Sequence, residues 1–492
     1  MKMKRITASL LAAAIMGVSV PNFLTVVPNT PVTANASSEN ETYEGFVVNK
    51  CVYFYEITGY NGSDTDITIP SEINGLPVKR IARSAFFYYE DLTSITIPDS
   101  VTSIGADAFE YCSSLTSINI PNSVTSIGDH AFGYCRNLTS ITIPDSVTSI
   151  DNGMFYDCTN LASVTIPDSV MSIGAHAFSG CTSLTSVTIP NSVTSVGYSA
   201  FIGCKSLESI TISNSVTSIS SKMFENCPSL TSVIIPDSVT SIGDNAFNGC
   251  TSLTSVTIPN SVTSIDKKAF EYCENLTSIT IPDSVTEINI DTFSHCASLE
   301  SAVIPNSVTG IYGDAFDGCT SLKSITIPDS VTGIYDCAFR NCESLRSITI
   351  LNPDCKLYGD DETICNSTDV DDDGFAIYIG EIRGYSGSTV EEYAKKYNRT
   401  FVALDSPVFL GDVTGDGIIT GSDATYVLQA YTNISSNQDS GLDEAQFKAA
   451  DVTGDGIITG SDATYILQYY TELSSGGNTD NFPSLDEWIK KQ

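Results

Sequence analysis

The run Leu115-Thr116-Ser117-Ile118-Asn119-Ile120-Pro121-Asn122-Ser123-Val124-Thr125-Ser126-Ile127-Gly128, completed by Ala131-Phe132 and Cys135, is one turn of a pattern that fills the middle of the chain. Twelve phenylalanines, from Phe86, Phe109 and Phe132 through to Phe339, recur every 23 residues without a slip, and eleven cysteines from Cys112 to Cys342 keep the same step. Alternation of Ile118 and Ile120 predicts a strand with one face inward, and Pro121 with Asn122 turns the chain out of it. Val124 and Ile127 begin the return side, while Ala131, Phe132 and Cys135 fill the remaining wall. One coil of this size cannot bury its own apolar face. Stability must come from stacking, with about three or more neighbours.

A period between about 20 and 29 carrying L-x-x-I-x-I predicts a leucine-rich-repeat solenoid, mostly β, one 23-residue coil per repeat. That reading also decides the cysteines. A residue that recurs once per coil becomes a ladder of thiols with two equivalent neighbours each, so pairing is arbitrary. Parallel strands hold successive Cβ atoms about 4.8 Å apart, wider than the roughly 3.8 Å a disulfide prefers. The eleven are therefore expected as buried free thiols acting as small hydrophobes. Of the other four, Cys51, Cys337, Cys355 and Cys365, only Cys355 with Cys365 has a spacing that invites a test for a bridge.

The chain has 492 residues, 23 Lys and Arg against 58 Asp and Glu, and a net charge of −35, which argues against a nucleic-acid partner. With 41% hydrophobic and 16% charged residues it has ample material for a core. Lys2, Lys4 and Arg5, an apolar run over residues 6–20, and Ala34-Asn35-Ala36 predict a signal peptide over residues 1–36. The mature product is then expected to start near Ser37, secreted and extracellular. No later stretch reaches about 18 consecutive apolar residues, so no membrane insertion is expected.

The repeated words IP-[DN]-S-V-T-x-I and AF-x-x-C resemble those of BspA-like, Treponema-type leucine-rich repeats, across roughly residues 43–405. The resemblance implies binding of a protein or surface ligand, with no catalysis in the array. On this reading residues 43–80 hold an N-terminal cap and a variant first repeat five residues longer, 81–350 the solenoid, and 351–405 a C-terminal cap. Gly384-Tyr385-Ser386-Gly387-Ser388 and the segment 389–396 resemble the family's closing strand and short helix. Such caps keep the last apolar wall from water.

Near the end stands Asp412-Val413-Thr414-Gly415-Asp416-Gly417-Ile418-Ile419-Thr420-Gly421-Ser422-Asp423, repeated 39 residues later as Asp451-Val452-Thr453-Gly454-Asp455-Gly456-Ile457-Ile458-Thr459-Gly460-Ser461-Asp462. Side-chain oxygens at loop positions 1, 3, 5 and 12, a carbonyl at 7 and glycine at 6 are the spacing that wraps a hard cation, so calcium is the expected metal. Two departures stand out: threonine at position 3, where Asp or Asn is usual, and aspartate rather than glutamate at 12. Fewer charges should weaken the sites, although extracellular modules tolerate dissociation constants of about 10⁻⁴ to 10⁻³ M. Helices are expected over 424–431 and 463–470, with none directly before the first loop. From 412 to 432 and from 451 to 471 the copies differ only at Val427 against Ile466 and Ala430 against Tyr469.

This duplicated loop–helix unit, residues 406–475 ahead of a tail at 476–492, resembles a type I dockerin: small, all-α, with two EF-hand-like calcium loops. The resemblance implies docking to a cohesin module of a scaffoldin, in a cellulosome that breaks down plant polysaccharide. Carried over by position, two calcium ions would be held by Asp412, Thr414, Asp416, the Ile418 carbonyl and Asp423, and by Asp451, Thr453, Asp455, the Ile457 carbonyl and Asp462. The cohesin-reading positions would be Gly421, Ser422, Leu428 and Gln429, with Gly460, Ser461, Leu467 and Gln468. Glycine at 421 and 460 departs from the best-known dockerins and bears on which cohesin class is read. With two such similar faces, either is expected to dock after a 180° rotation.

Other features carry less. Asp369-x-Asp371-x-Asp373-Gly374 opens like a third calcium loop, but Gly380 falls at position 12 and the stretch reads as an acidic turn. His130, His176 and His295 fill ordinary repeat slots. Tyr88, Tyr111 and Tyr134 share one slot and read either as loop residues or as a row of rings for a glycan or partner chain. A glycoside hydrolase needs two carboxylates about 5 to 10 Å apart in a cleft. The recurring Asp99, Asp145, Asp168, Asp237, Asp283 and Asp329 instead alternate with asparagine in one turn slot. The expectation is a non-enzymatic adaptor, with an adhesin for plant or host surface, or an enzyme-binding subunit, as alternatives.

Overall fold

A computed structural model describes residues 41–371, 373–404, 411–414, 419–436, 438, 440–442, 444–475 and 485. The signal-peptide expectation and the start near Ser37 lie outside the described residues.

The L-x-x-I-x-I word forms a strand of three residues, or four in the last two coils, and these strands pair in parallel at a constant offset of 23, as in Ser140↔Ser163 and Ser186↔Ser209. The Thr-Ser-Ile word on the return side forms a second, two-residue strand that repeats in the same way, Ser149↔Ser172↔Ser195. Between the two sheets Pro121, Asn122 and Ser123 make a tight turn closed by Val124 N–H donating to the Pro121 carbonyl at 3.0 Å. The serine of this turn stitches coils together: Ser123 Oγ donates to Val101 O at 2.6 Å, and Ser169 to Val147 O at 2.7 Å. That role accounts for serine in a slot where hydrophobic pattern alone says nothing.

The third wall consists of turns rather than strands. Alternate residues donate to the next coil, Asp107 N–H to Asp129 O, Phe109 to Ala131 O and Tyr111 to Gly133 O, at 2.8, 2.8 and 2.9 Å. Two residues per coil take left-handed backbone, one two before and one two after the phenylalanine. His130 and His176 fill the first of these slots and His295 the second. The sequence reading of ordinary repeat positions holds for all three. Gly153 shows what the slot tolerates: a Cβ there would lie 2.2 Å from the His130 ring, which glycine accommodates.

Inside, the phenylalanines form one ladder. Successive rings from Phe86 to Phe339 are stacked at 5.2–5.8 Å between centroids, and each is at most 2% exposed. Beside it runs the cysteine ladder. All fifteen cysteines are free, including Cys355 and Cys365, and the eleven repeat thiols are fully buried. Each donates its S–H to the carbonyl of the preceding coil's phenylalanine at 3.1–3.3 Å. Burial pushes the Cys112, Cys227 and Cys296 thiols up to about 12, so the reactive thiolate is scarce at neutral pH.

Both ends are closed. An antiparallel hairpin, Phe46–Lys50 with Tyr55–Tyr60, joins the first coil in parallel through Leu76–Ile81. The variant first repeat is visible as a 28-residue offset between Asp66 and Ser94, five more than the standard step. At the far end Glu381–Gly384 continues the first sheet and Thr400–Ala403 forms its edge. Helix α1, Thr389–Lys396, coincides with the expected segment; Ser388 caps it by accepting from Glu391 N–H, and Val390, Tyr393 and Ala394 are buried beneath it.

A separate apolar core holds the C-terminal helices α2 (Gly421–Ser435), α3 (Glu444–Ala450) and α4 (Gly460–Ser475). The sequence reading placed two of these and missed α3, which carries no motif. Both expected helices also begin three residues earlier and run longer than the 424–431 and 463–470 segments, because the last residues of each loop form the first helical turn.

Candidate calcium and docking site

The residue that closes each loop is its hinge to the helix. Asp423 is 0% exposed; its carboxylate accepts from Thr414 N–H at 2.9 Å, Thr420 N–H at 2.8 Å and Thr420 Oγ1 at 3.1 Å. Thr420 in turn caps α2 by accepting from Ser422 N–H at 3.1 Å. The second loop repeats this. Asp462 is 0% exposed and accepts from Thr453 N–H and Oγ1 at 3.1 and 3.0 Å, and from Thr459 N–H and Oγ1 at 2.8 and 2.9 Å.

At the loop start Asp451 accepts from Gly454, Asp455 and Gly456 N–H at 2.8, 3.1 and 2.8 Å, and Asp455 from Ile457 N–H at 2.9 Å. Thr453 Oγ1 stands 3.4 Å from Asp451 Oδ1 as well as 3.0 Å from Asp462. In the first loop Thr414 Oγ1 lies 3.4 Å from Asp412, which is 8% exposed. Asp416 and Ile418 lie outside the described residues. Among the described residues no three His, Cys, Asp or Glu side chains are gathered as tightly as a bound ion holds its ligands.

The donor set nonetheless suits a hard cation. It offers carboxylate, hydroxyl and carbonyl oxygens and no nitrogen or sulfur. Buried carboxylates call for a positive partner, a metal or a proton. Asp423 and Asp462 form no ion pair among the described residues, and Lys448 is the only basic residue from 406 to 475. Helix N-terminal N–H groups stabilise each carboxylate in part.

The helices carry the candidate docking face. Ala424, Val427 and Ala430 of α2 pack with Ala463, Ile466 and Tyr469 of α4 in the module's core. Both positions at which the two copies differ, 427/466 and 430/469, are therefore buried. Outward, Ser422, Leu428 and Gln429 match Ser461, Leu467 and Gln468, all exposed, with Leu428 at 48% and Leu467 at 50%. A Cβ added at Gly421 or Gly460 would meet nothing within 4 Å, so these glycines leave each face open. Tyr426 is a further exposed residue on this side that the sequence did not single out. Neither did it single out Leu485, which is buried in the same core and lies where a Cβ on Gly411 would be 2.4 Å away.

The remaining sequence candidates fall elsewhere. Asp371 accepts from Asp373 and Phe375 N–H, both at 3.0 Å, at the turn between the antiparallel strands Ser367–Val370 and Ala376–Ile377. That is turn chemistry. Tyr88, Tyr111 and Tyr134 stack on one another at 4.4 and 4.2 Å, so their inner faces are already occupied. Along the outer face of the first sheet lies a groove of about 610 Å³ bounded by Thr165, Thr188, Thr211, Asp168, Asn191 and Asn214.

A stack of leucine-rich coils, followed by a duplicated loop–helix unit, defines a repeat protein with a small docking module. Segments 79–206, 172–300 and 286–362 match the BspA type leucine rich repeat region, together 284 of 492 residues, and the chain belongs to that family. Residues 410–469 match the dockerin type I domain. Among solved structures, a leucine rich cell surface protein from Faecalibacterium prausnitzii is 32% identical, over 63% of this chain and 94% of that one, with a TM-score of 0.44. A leucine-rich repeat protein from Bacteroides ovatus is 25% identical, over 74% of this chain and 100% of that one, with a TM-score of 0.50. No curated protein matches the chain. Dockerin type I domains generally bind calcium and imply cohesin binding in a cellulosome-type assembly, while the repeats suggest protein binding. Both are non-catalytic module types. Among the described residues no helix is long and apolar enough to cross a membrane.

Proposed function

We propose that this chain is an exported, non-catalytic subunit of a polysaccharide-degrading assembly, docked on a scaffoldin cohesin through its C-terminal module and offering its solenoid as a binding surface. The observation that carries this reading is the burial of both sequence differences between the duplicated halves, which leaves two outward faces of the same residues. Selection for a partner that reads either face would preserve such a duplication; selection for the core alone would not.

Two calcium ions are assigned to Asp412, Thr414, Asp416, the Ile418 carbonyl and Asp423, and to Asp451, Thr453, Asp455, the Ile457 carbonyl and Asp462. Bound there, each ion supplies the positive charge that the buried Asp423 and Asp462 lack and ties the loop to the first turn of α2 or α4. Ser422, Leu428 and Gln429 beside Gly421, or Ser461, Leu467 and Gln468 beside Gly460, then meet the cohesin. The groove of hydroxyl and amide groups on the first sheet supports a protein or glycan ligand for the array.

Surface-immobilised cohesin tests the docking. Replacing Ser422 and Gln429 by alanine, or Ser461 and Gln468, should preserve affinity, and replacing all four should reduce it sharply. Complete loss from one pair alone contradicts the two-face reading. A second function, attachment of complex or cell to plant or host material, draws on the cell-surface description of the Faecalibacterium relative. Capture of soluble proteins from spent culture medium, set against retention on cellulose and cell walls, separates the two.

A further inference from the structure

The last coils carry a feature that earlier ones lack. Tyr312, Tyr335 and Tyr358 occupy one slot in three successive coils, where the three coils before have Gly243, Asp266 and Asn289. Their rings stack at 4.8 and 4.7 Å, inclined by only 7° and 13°. The second-sheet strand beneath has changed with them. Gly310 and Gly333 stand where Ser241, Ser264 and Glu287 stood, and a Cβ on Gly333 would lie 3.1 Å from the Tyr358 ring and 3.3 Å from that of Tyr335. Gly333 makes room for the tyrosine ladder, whereas a Cβ on Gly310 would meet the Tyr312 ring at an ordinary 3.5 Å.

Tyr358 is its last rung. It is 43% exposed, and among the described residues it stacks on a ring on one side only. Next to it, where a further coil would continue the ladder, the strand Lys356–Leu357 and α1 border a pocket of about 330 Å³. Besides Tyr358, it is lined by Lys356, Thr389, Glu392, Tyr393 and Lys396. That volume sits at the small end of the roughly 300–1,000 Å³ typical of ligand pockets.

The charges at this pocket run against those of the whole chain. Lys395 is paired with Glu391 at 2.8 Å, whereas Lys356 and Lys396 make no ion pair among the described residues. Lys396 Nζ instead lies 4.6 Å from the centre of the Tyr397 ring. Two lysines and Glu392 leave the pocket with one net positive charge in a protein of net charge −35. A singly charged carboxylate suits this balance. Glu392 repels any anion, a doubly charged phosphate more than a singly charged carboxylate, which the two lysines outweigh. A carboxylate such as that of Glu392 is an acceptor for sugar hydroxyls, and the C–H face of a saturated ring, slightly positive, complements the negative face of a tyrosine.

We propose that this pocket binds the pyranose ring of a uronic acid within an acidic polysaccharide. The sugar's C–H face lies on Tyr358, extending the ladder by one ring, and its carboxylate is met by Lys356 and Lys396. The site is independent of the docking module, so loss of cohesin binding on calcium removal should leave it intact.

Calorimetry of the full-length chain at low salt, with oligogalacturonate and then a cello-oligosaccharide of equal length as probes, tests this. Oligogalacturonate should bind and the neutral probe should bind at least tenfold more weakly. Tyr358→Ala should weaken oligogalacturonate binding about tenfold, and Tyr358→Phe should retain it. Lys356→Gln with Lys396→Gln, both on exposed side chains, should remove the preference for the acidic probe and its salt dependence. No heat with oligogalacturonate, equal binding of the neutral probe, or unchanged affinity in both the Tyr358→Ala and the double-lysine variant would overturn the proposal.

Discussion

Replacing Asp462 by asparagine probes the calcium module with little change of shape. The side chain accepts four hydrogen bonds at 2.8–3.1 Å, two on each oxygen. An amide keeps one accepting oxygen and turns an NH₂ toward two donors on the other. Two bonds to a charged acceptor, at about 1.5–3 kcal/mol each, are then lost, so the apo module should be weakened by at least about 3 kcal/mol. Calcium at roughly 10 to 100 times its dissociation constant adds about 1.4–2.7 kcal/mol per site, and the altered loop forfeits that too. Hydrogen–deuterium exchange of the full-length protein, with calcium and with chelator, reads the result peptide by peptide. In the parent chain α4 should be protected in calcium and exchange faster in chelator. In Asp462→Asn it should exchange fast in both, whereas Ser461→Ala, on the exposed face, should behave like the parent. Undiminished, calcium-dependent protection of α4 in Asp462→Asn would refute the reasoning.

Phe201→Ala removes a fully buried ring stacked between Phe178 and Phe224 at 5.3 and 5.8 Å, at a cost of about 3–5 kcal/mol. Because coils contact only their neighbours, faster exchange should be confined to the coils around 201 and leave α2 and α4 unchanged; an effect spread evenly over the chain would contradict this. Burial raises Cys112, Cys227 and Cys296 from 9.0 to about 12, so their contribution to stability is whole below pH 9 and is lost as pH rises toward 12. Each such thiol withdraws about 1.4 kcal/mol per pH unit in that window. Alkaline unfolding followed by circular dichroism should therefore begin above pH 9, together with labelling of the repeat thiols by iodoacetamide; labelling of those repeat thiols, rather than of the partly exposed Cys51 and Cys337, in the folded protein at pH 7 would count against the ladder.

Much of this architecture is legible in the sequence because the step is fixed. A 23-residue period translates directly into a parallel register of 23, and five extra residues in the first repeat into the offset of 28 between Asp66 and Ser94. The free, buried thiols follow from the same periodicity. What escaped has no period or no composition signal. The left-handed positions beside each phenylalanine hold Asp, His, Lys, Tyr, Asn, Ser, Cys or Gly indifferently, since they are fixed by hydrogen bonds from coil to coil rather than by residue type. Helix starts at Gly421 and Gly460 were read too late because Thr420 caps a turn that the calcium-loop pattern claims for itself. Helix α3 was missed since Glu444-Ala445-Gln446-Phe447-Lys448-Ala449-Ala450 is too short to display a clear face. The tyrosine ladder at the last coils has no apolar period to mark it, and its fit depends on Gly333, two residues before Tyr335 and one coil before Tyr358.

The most direct measurement of the central claim is binding of the full-length chain to a panel of scaffoldin cohesins, in calcium and then in excess chelator on the same surface. Tight binding to at least one cohesin that vanishes with the chelator and returns when calcium is restored is the predicted result. Binding that persists undiminished without calcium, or silence across the whole panel while calcium is present, would contradict it.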